Sequence, residues 1–298
     1  MNGRVGAVIV TYNSRDCIGR AVDSCLREEM DVVVVDNASG DGTADIIAGR
    51  SNVKTVRNQE NRGFAAAVNE GFRQLDTDYV LLLNPDAELT TSCSALEKEL
   101  AQAGAAGGML IGTDGKPQTG FAVRRFPTAV VLAFEALGIN RLWRGNPANR
   151  HYRCLDLDLS KPADVDQPAG AFLMIRREAW EKVGGFDERF FPVWFEDVDF
   201  CLRLKAAGYR IRYTPNAVVR HQGGHSVNAI SYNASRLYWY GSLLRYVSKH
   251  FRTGQRRAVC SAVAAGSVLR MFAAVMLHQK VEHVGVYGRV IRLALTFF

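Results

Sequence analysis

Apolar residues fall in short unbroken runs along the first third of the chain. Each run ends in polar residues and is followed by a segment with helical spacing. The runs are Val5–Val10, Val32–Val35, Val53–Val56 and Tyr79–Leu83. Runs rich in β-branched residues or leucine, without alternation, predict strands buried on both faces. Asp16–Arg27, the segment after Thr43, and Asn61–Phe72 read as the helices between them, with Ala65-Ala66-Ala67 permitting close packing in the last. This order predicts an α/β fold, a Rossmann-like, mostly parallel, doubly wound sheet flanked by helices.

Further on, the pattern predicts a helix over Ala95–Ala103, a strand near Met109, a polar turn at Thr113–Pro117 and an amphipathic stretch over Val130–Leu137. Arg141–Leu159 mixes aromatic, basic and acidic residues without periodicity and reads as a mobile loop flanking a cleft. Gly170–Ile175 reads as a buried strand, Arg177–Val183 as a short helix, and Glu196–Ala207 as a helix closed by Gly208. Arg210–Tyr213 and Ala217–Val219 read as two short strands, and Ser235–Phe298 as two or three helices.

Composition adds an asymmetry. The 298 residues carry a net charge of +7, but Ser235–Phe298 holds ten Lys or Arg against one acid, Glu282, so this stretch carries +9 and residues 1–234 carry −2. The expected organisation is a catalytic domain, 1–234, with a basic helical appendage, 235–298. A nucleic-acid enzyme would place its basic residues around the cleft, so no nucleic-acid partner is expected. The six cysteines form no C-x-x-C pair and the chain shows no secretory leader pattern. Free thiols in a reducing, cytoplasmic compartment follow as the expectation, without a structural zinc.

Candidate chemistry sits at strand ends. Tyr79–Leu83 stops at Asn84-Pro85-Asp86, where proline cannot continue the ladder. A carboxylate there suits either a plain turn or a cation held against a diphosphate. Glu88 reads as structural. Asp36-Asn37 ends the second run, and Asp36 either accepts from a base or ribose or closes an Asx turn. Arg62-Gly63 precedes a helix start that favours an anion. No G-x-G-x-x-G or P-loop follows the first strand, which argues against dinucleotide enzymes and P-loop NTPases. Glu196, Asp197 and Asp199 suit the positive end of their helix, and the aromatic run Phe190–Phe195 before them suits stacking on a sugar. A carboxylate held ionised there can act as a general base. His221 and His225 flank paired glycines after the last strand.

The blocks VGAVIVTYNS, VVVVDNASGDGT, NRGFAAAVNEG, LLLNPDAEL, GAFLMIRREAWEKVGGFDERFF and FEDVDFCLRLKAAGY, in this order over Val5–Ser226, resemble the family 2 inverting glycosyltransferases of GT-A fold, nearest the bacterial rhamnosyltransferase branch. The resemblance implies that Thr11, Tyr12, Asn13, Asp36 and Asn37 line the base and ribose, with Arg62 and Gly63 near the base or diphosphate. It implies Asn84 and Asp86 in place of the family's Asp-x-Asp, Asp86 and His221 as metal ligands, and Asp197 as the base. Trp194 and Glu196 are the candidate acceptor contacts. Asn84 removes one negative charge beside the metal and leaves Mg2+ against Mn2+ open, with an imidazole tilting toward Mn2+.

The implied reaction moves a sugar, best guessed as L-rhamnose, from a dTDP- or UDP-sugar to a cell-envelope glycan or a polyprenyl-diphosphate saccharide. The alternatives are a metal-dependent nucleotidyltransferase, for which Thr11–Arg15 offers a poor triphosphate loop, and a non-catalytic sugar-nucleotide binder. Ala258–Leu277 is apolar but interrupted by Arg270. The tail is therefore expected either to lie at the inner face of the cell membrane, as an interfacial helix drawn to anionic lipid, or to pack on the core or across a homodimer.

Overall fold

The structure is a computed structural model that describes residues 3–50, 52–223, 230–276 and 283–298. Val5–Thr11 (β1), Asp31–Asp36 (β2), Val53–Arg57 (β3) and Tyr79–Leu83 (β4) are strands, linked by helices Ile18–Arg27 (α1), Thr43–Ile47 (α2) and Phe64–Arg73 (α3). Strands β3-β2-β1-β4 are parallel neighbours, as their unbroken apolar runs require. Ala87–Leu89 (β5), helix Ser94–Leu100 (α4) and Ala105–Ile111 (β6) follow, then Val123–Arg124 (β7), Ala129–Leu137 (α5), Ile139–Leu142 (α6) and Pro147–Tyr152 (α7). Next come Ala163–Asp164 (β8), Gln167–Pro168 (β9), Phe172–Arg176 (β10), helices Arg177–Val183 (α8) and Glu196–Ala206 (α9), and Ile211–His221 (β11). The tail forms Tyr232–His250 (α10), Thr253–Met276 (α11) and Val284–Thr296 (α12).

The nine-stranded sheet runs β3-β2-β1-β4-β10-β6-β11-β5, with β8 pairing β11. It is mostly parallel, but β10 runs antiparallel between β4 and β6. The two strands read over Arg210–Val219 are one, because the register shift between Thr214 and Val218 absorbs Pro215 without ending the pairing with β6. One core packs on each face of the sheet, around Ile9, Ile18, Val34 and Leu81 on one side and Val8, Phe72, Leu82 and Phe200 on the other.

A third core joins α5, the approach to α9 and all three tail helices, through Leu132, Phe190, Phe195, Val198, Leu243, Val263 and Val290. Arg270 of α11 donates to the backbone of Glu135 and Ala136 at the end of α5, so the residue that interrupts the apolar stretch is spent on satisfying a helix terminus. Among the described residues Thr253–Met276 is the one helix long and apolar enough to cross a membrane, with a mean hydropathy of 1.8 over a window that is 39% buried.

Arg141–Leu159 is built rather than loose. It holds α6 and α7, and Asn146 and Asn149 are buried within it. Asn146 caps α7 with Pro147 at its first position, a start that depends on side-chain bonds to backbone and so leaves no apolar period to read.

Candidate active site

A cleft of about 570 Å³ opens along the carboxyl ends of β1, β2 and β4 and reaches the start of α9. Tyr12, Asn37, Asn84, Asp86, Trp194, Glu196, Asp197 and His221 all line it. Thr11, Asn13, Asp36, Arg62 and Gly63 stand behind or beside this wall. Asp36 takes the Ser39 hydroxyl at 2.5 Å, closing the Asx turn. Across the two strand ends Asn13 N donates to Ser39 Oγ and Gly40 N donates to Asn13 Oδ1, both at 2.9 Å. Arg62 pairs with Glu70 at 3.4 Å on the exposed side of α3. The Thr11 hydroxyl is buried without a partner among the described residues. Asn37 spans the gap to Gly63, donating to its carbonyl at 3.1 Å.

At the end of β4, Asp86 and His221 come together because β5 pairs antiparallel with the end of β11. His221 Nε2 lies 3.5 Å from Asp86 Oδ1, and the other carboxylate oxygen accepts from Gly223 N at 3.0 Å. Gln118 donates its amide N–H to the His221 carbonyl at 2.9 Å, so its oxygen is the atom that faces His221 Nδ1, also at 2.9 Å. That oxygen requires a proton on Nδ1 and leaves Nε2 with a lone pair beside Asp86. Burial lowers the His221 pKa against the opposing pull of Asp86, and Phe121 stacks on the ring at 5.6 Å. One carboxylate and one imidazole lone pair fit a divalent cation that takes its other ligands from water and a diphosphate. No cluster of three or more ligating side chains occurs among the described residues, and His225 lies outside them.

At the other end of the cleft, Trp194 and Phe195 have φ of +81° and +71°, a left-handed pair of aromatic residues directly before α9. Such strain persists only when the surroundings over-determine it. Here Ser242 of α10 donates to Val193 O at 3.0 Å, and Phe195 packs on Tyr246 and Trp239. The turn delivers Glu196 and Asp197 into the cleft. Asp197 Oδ2 accepts from Gln167 Nε2 at 2.9 Å and Gly170 N at 3.2 Å, and Oδ1 accepts from Val198 N at 2.8 Å. A Cβ on Gly170 would sit 3.3 Å from that of Asp197, so glycine permits the approach.

Burial pushes the Asp197 carboxyl above its ordinary value, against the lowering effect of the Gly170 amide and Arg124. Burial, reinforced by Asp197, pushes Glu196 much further up, and Glu196 Oε2 has no partner among the described residues. Gln118 and Gln167, which hold His221 and Asp197, were not singled out from sequence. Each is an isolated amide in a turn or a two-residue strand and carries no motif.

Solved structures with this architecture include the mannosyltransferase PcManGT from Pyrobaculum calidifontis, solved with GDP-Man and Mn2+ (TM-score 0.55, 19% identity, 100% of this chain and 87% of that one). GalNAc-T7, solved with UDP, GalNAc and Mn2+, aligns with a TM-score of 0.56 at 14% identity over 95% of this chain and 58% of that one. The fold is therefore of the GT-A type. The model of Glycosyl transferase family 2 matches residues 7–184, and that of Glycosyl transferase family group 2 matches 147–296.

The N-acetylglucosaminyl-diphospho-decaprenol L-rhamnosyltransferase of Mycobacterium tuberculosis is 32% identical over 238 residues, 74% of this chain and 76% of the relative. Rhamnosyltransferase WbbL of Escherichia coli is 30% identical over 198 residues, 63% and 69% of the two chains. The chain belongs to glycosyltransferase family 2 and is a glycosyltransferase similar to its rhamnosyltransferases. The nucleotidyltransferase and non-catalytic alternatives are thereby set aside.

Proposed function

We propose that this glycosyltransferase moves L-rhamnose from dTDP-L-rhamnose, with inversion, onto a hydroxyl of a polyprenyl-diphosphate-linked saccharide in cell-envelope synthesis. The observation that carries the reading is that one cleft holds both the Asp86–His221 pair and the half-buried Asp197. The likeness to an enzyme named for a diphospho-decaprenol acceptor and L-rhamnose supports the choice of substrates. Tyr12 and Asn37 line the nucleotide end, with Thr11, Asn13, Asp36, Arg62 and Gly63 shaping it from behind. Asp86 and His221 would hold Mg2+ or Mn2+, with Asn84 beside them, and a bound cation would neutralise charge gathering on the departing diphosphate.

Asp197 acts as the general base. Its Oδ2 is filled by two N–H donors, whereas Oδ1 has one and retains a lone pair for the acceptor hydroxyl's proton. The hydroxyl oxygen then bonds to the anomeric carbon. The bond from that carbon to the diphosphate breaks with its electron pair going to the nucleoside diphosphate. A raised pKa helps the carboxylate keep the proton it takes. Trp194 offers a ring for the acceptor sugar, and Glu196, whose Oε2 has no partner among the described residues, a hydrogen-bonding group beside it.

Thermal shift against a panel of nucleotide sugars, with and without divalent cation, tests this. dTDP-L-rhamnose should stabilise most and only with metal, and Asp86→Ala should remove the metal-dependent part. Equal stabilisation without metal, or by every donor, would count against it. Asn84→Asp should tighten cation binding.

The 1–234 unit carries the donor chemistry, and the 235–298 helices brace it and face the membrane's inner, cytoplasmic surface. Val268, Leu269, Phe272, Val275 and Met276 are exposed at helical spacing along α11, and all six cysteines are unpaired, which supports that placement. Sedimentation with anionic liposomes at low salt should carry the protein down, and protein left in the supernatant refutes the docking.

A further inference from the structure

Two arginines on the cleft wall answer to nothing in the donor chemistry. Arg124 Nε and Arg153 Nη1 both donate to a single oxygen, the Gly120 carbonyl, each at 3.3 Å, and both side chains line the cleft. Neither forms an ion pair within 4 Å among the described residues, although the charge of Arg124 reaches Asp197, whereas Arg125, next in sequence, pairs with Asp156 at 2.6 Å. Two guanidinium groups sharing one neutral acceptor repel each other, and their fixed forks match a multi-oxygen anion.

The positions are built. Arg153 Nε donates to Asn149 Oδ1 at 3.1 Å, and Asn149 N is held by Asn146 Oδ1 at 2.8 Å. Asn146 donates to Asn140 Oδ1 at 3.1 Å, and Asn140 donates to Glu135 of α5 at 3.0 Å. All three asparagines are buried, so Arg153 is aimed by a chain of amides anchored on a helix. Arg124 lies over Phe121 at 5.2 Å and Tyr152 at 6.0 Å. Gly120, at φ +76°, has no Cβ to meet Arg153, whose own Cβ would lie 3.1 Å away.

Placement says which anion. Arg124 pairs in register with Gln167, the residue that holds Asp197 Oδ2. The arginines therefore stand on the side of the cleft where the acceptor hydroxyl must approach the base, while Asp86 and His221 stand at the end of β4. We propose that Arg124 and Arg153 form a subsite for the diphosphate of the acceptor, separate from the one that holds the donor's. This rests on the transferase reading above and adds what the acceptor must carry.

The test is binding of geranyl diphosphate to the full chain, by calorimetry, with the nucleoside diphosphate that best raises its melting temperature held saturating with Mg2+. Geranyl diphosphate should still bind, and Arg124→Gln and Arg153→Gln should each weaken it about tenfold, the loss of one charge-assisted contact, while nucleotide affinity changes less than about twofold. Arg124 lies outside the asparagine chain, so its variant decides the matter even where Arg153→Gln loosens α7. Geranyl diphosphate excluded by saturating nucleotide, or arginine variants that lose nucleotide instead, would assign the pair to the donor and overturn the proposal. Absence of turnover with every nucleotide sugar would sink the transferase reading and leave this readout standing.

Discussion

Asp197 and Asp199 stand on the first turn of α9 and share the same helix dipole, Asp197 half-buried at the cleft and Asp199 fully buried, yet their carboxyls shift in opposite directions. Burial pushes Asp197 up, and amide N–H donors and distant Arg124 only partly oppose it. Burial works against Asp199 too, but His250, Lys249 and Arg203 all reach it, at 2.7, 2.6 and 2.7 Å, and hold it below its ordinary value. Lys249 also bonds Asp187 at 2.7 Å, which Arg189 and Lys249 hold low. The helix dipole accommodates acids here, but it does not decide what they do. Lys249 and His250 of the tail make Asp199 a clamp between α9 and α10, whereas the cleft face is left with a carboxylate to use.

The contrast breaks most severely at Asp197. Asp197→Asn should lower kcat by about 10²–10⁴-fold while leaving nucleotide binding and melting temperature close to wild type. Asp199→Ala should do the reverse. It removes the carboxylate shared by Arg203, Lys249 and His250 from a buried site and should cost about 3 kcal/mol of stability, read by denaturant unfolding, with KM for the donor unchanged in the folded fraction.

Stability against pH sharpens the same point. Asp187 and Asp199 have folded pKa values below the unfolded one, near 3.9, so their contribution is complete above that pH and is lost as pH falls through the folded values. Glu196 and Asp197 have raised values, so their ionisation destabilises, and stability returns as pH falls through their folded values. Melting temperature measured across pH should therefore show a smaller acid arm in Asp199→Asn, where Asp187 still contributes, and a smaller neutral-side decline in Glu196→Gln, where Asp197 still contributes. The smallest effect is Glu196→Gln at neutral pH, a rise of about 2 °C, the shift that roughly 1 kcal/mol makes in a chain of this size.

Much of this was readable from residues. The strands β1, β2 and β4 announce themselves by unbroken apolar runs, and Pro85 marks where β4 must stop. The direction of β10 was not readable, because a buried run looks the same in either sense. Pro215 suggested two strands where a register shift keeps one. Asp86 and Asp197 lie inside ordered motif blocks, His221 follows the last strand outside them, and the structure brings all three to one cleft. Gln118, Gln167, Arg124 and Arg153 come from short elements held by side-chain amides. Only the folded chain shows that the segment read as a loop over Arg141–Leu159 holds Arg153 in place.

The central claim is that Asp197 takes the acceptor's proton from a site where burial has raised its pKa. The pH dependence of kcat/KM, measured for wild type and for the residual activity of Asp197→Asn, bears on it most directly. The account predicts an acid limb lying above the ordinary aspartate value of about 3.9 in wild type and absent in the variant. An unchanged limb in the variant, or full activity without the carboxylate, would contradict it.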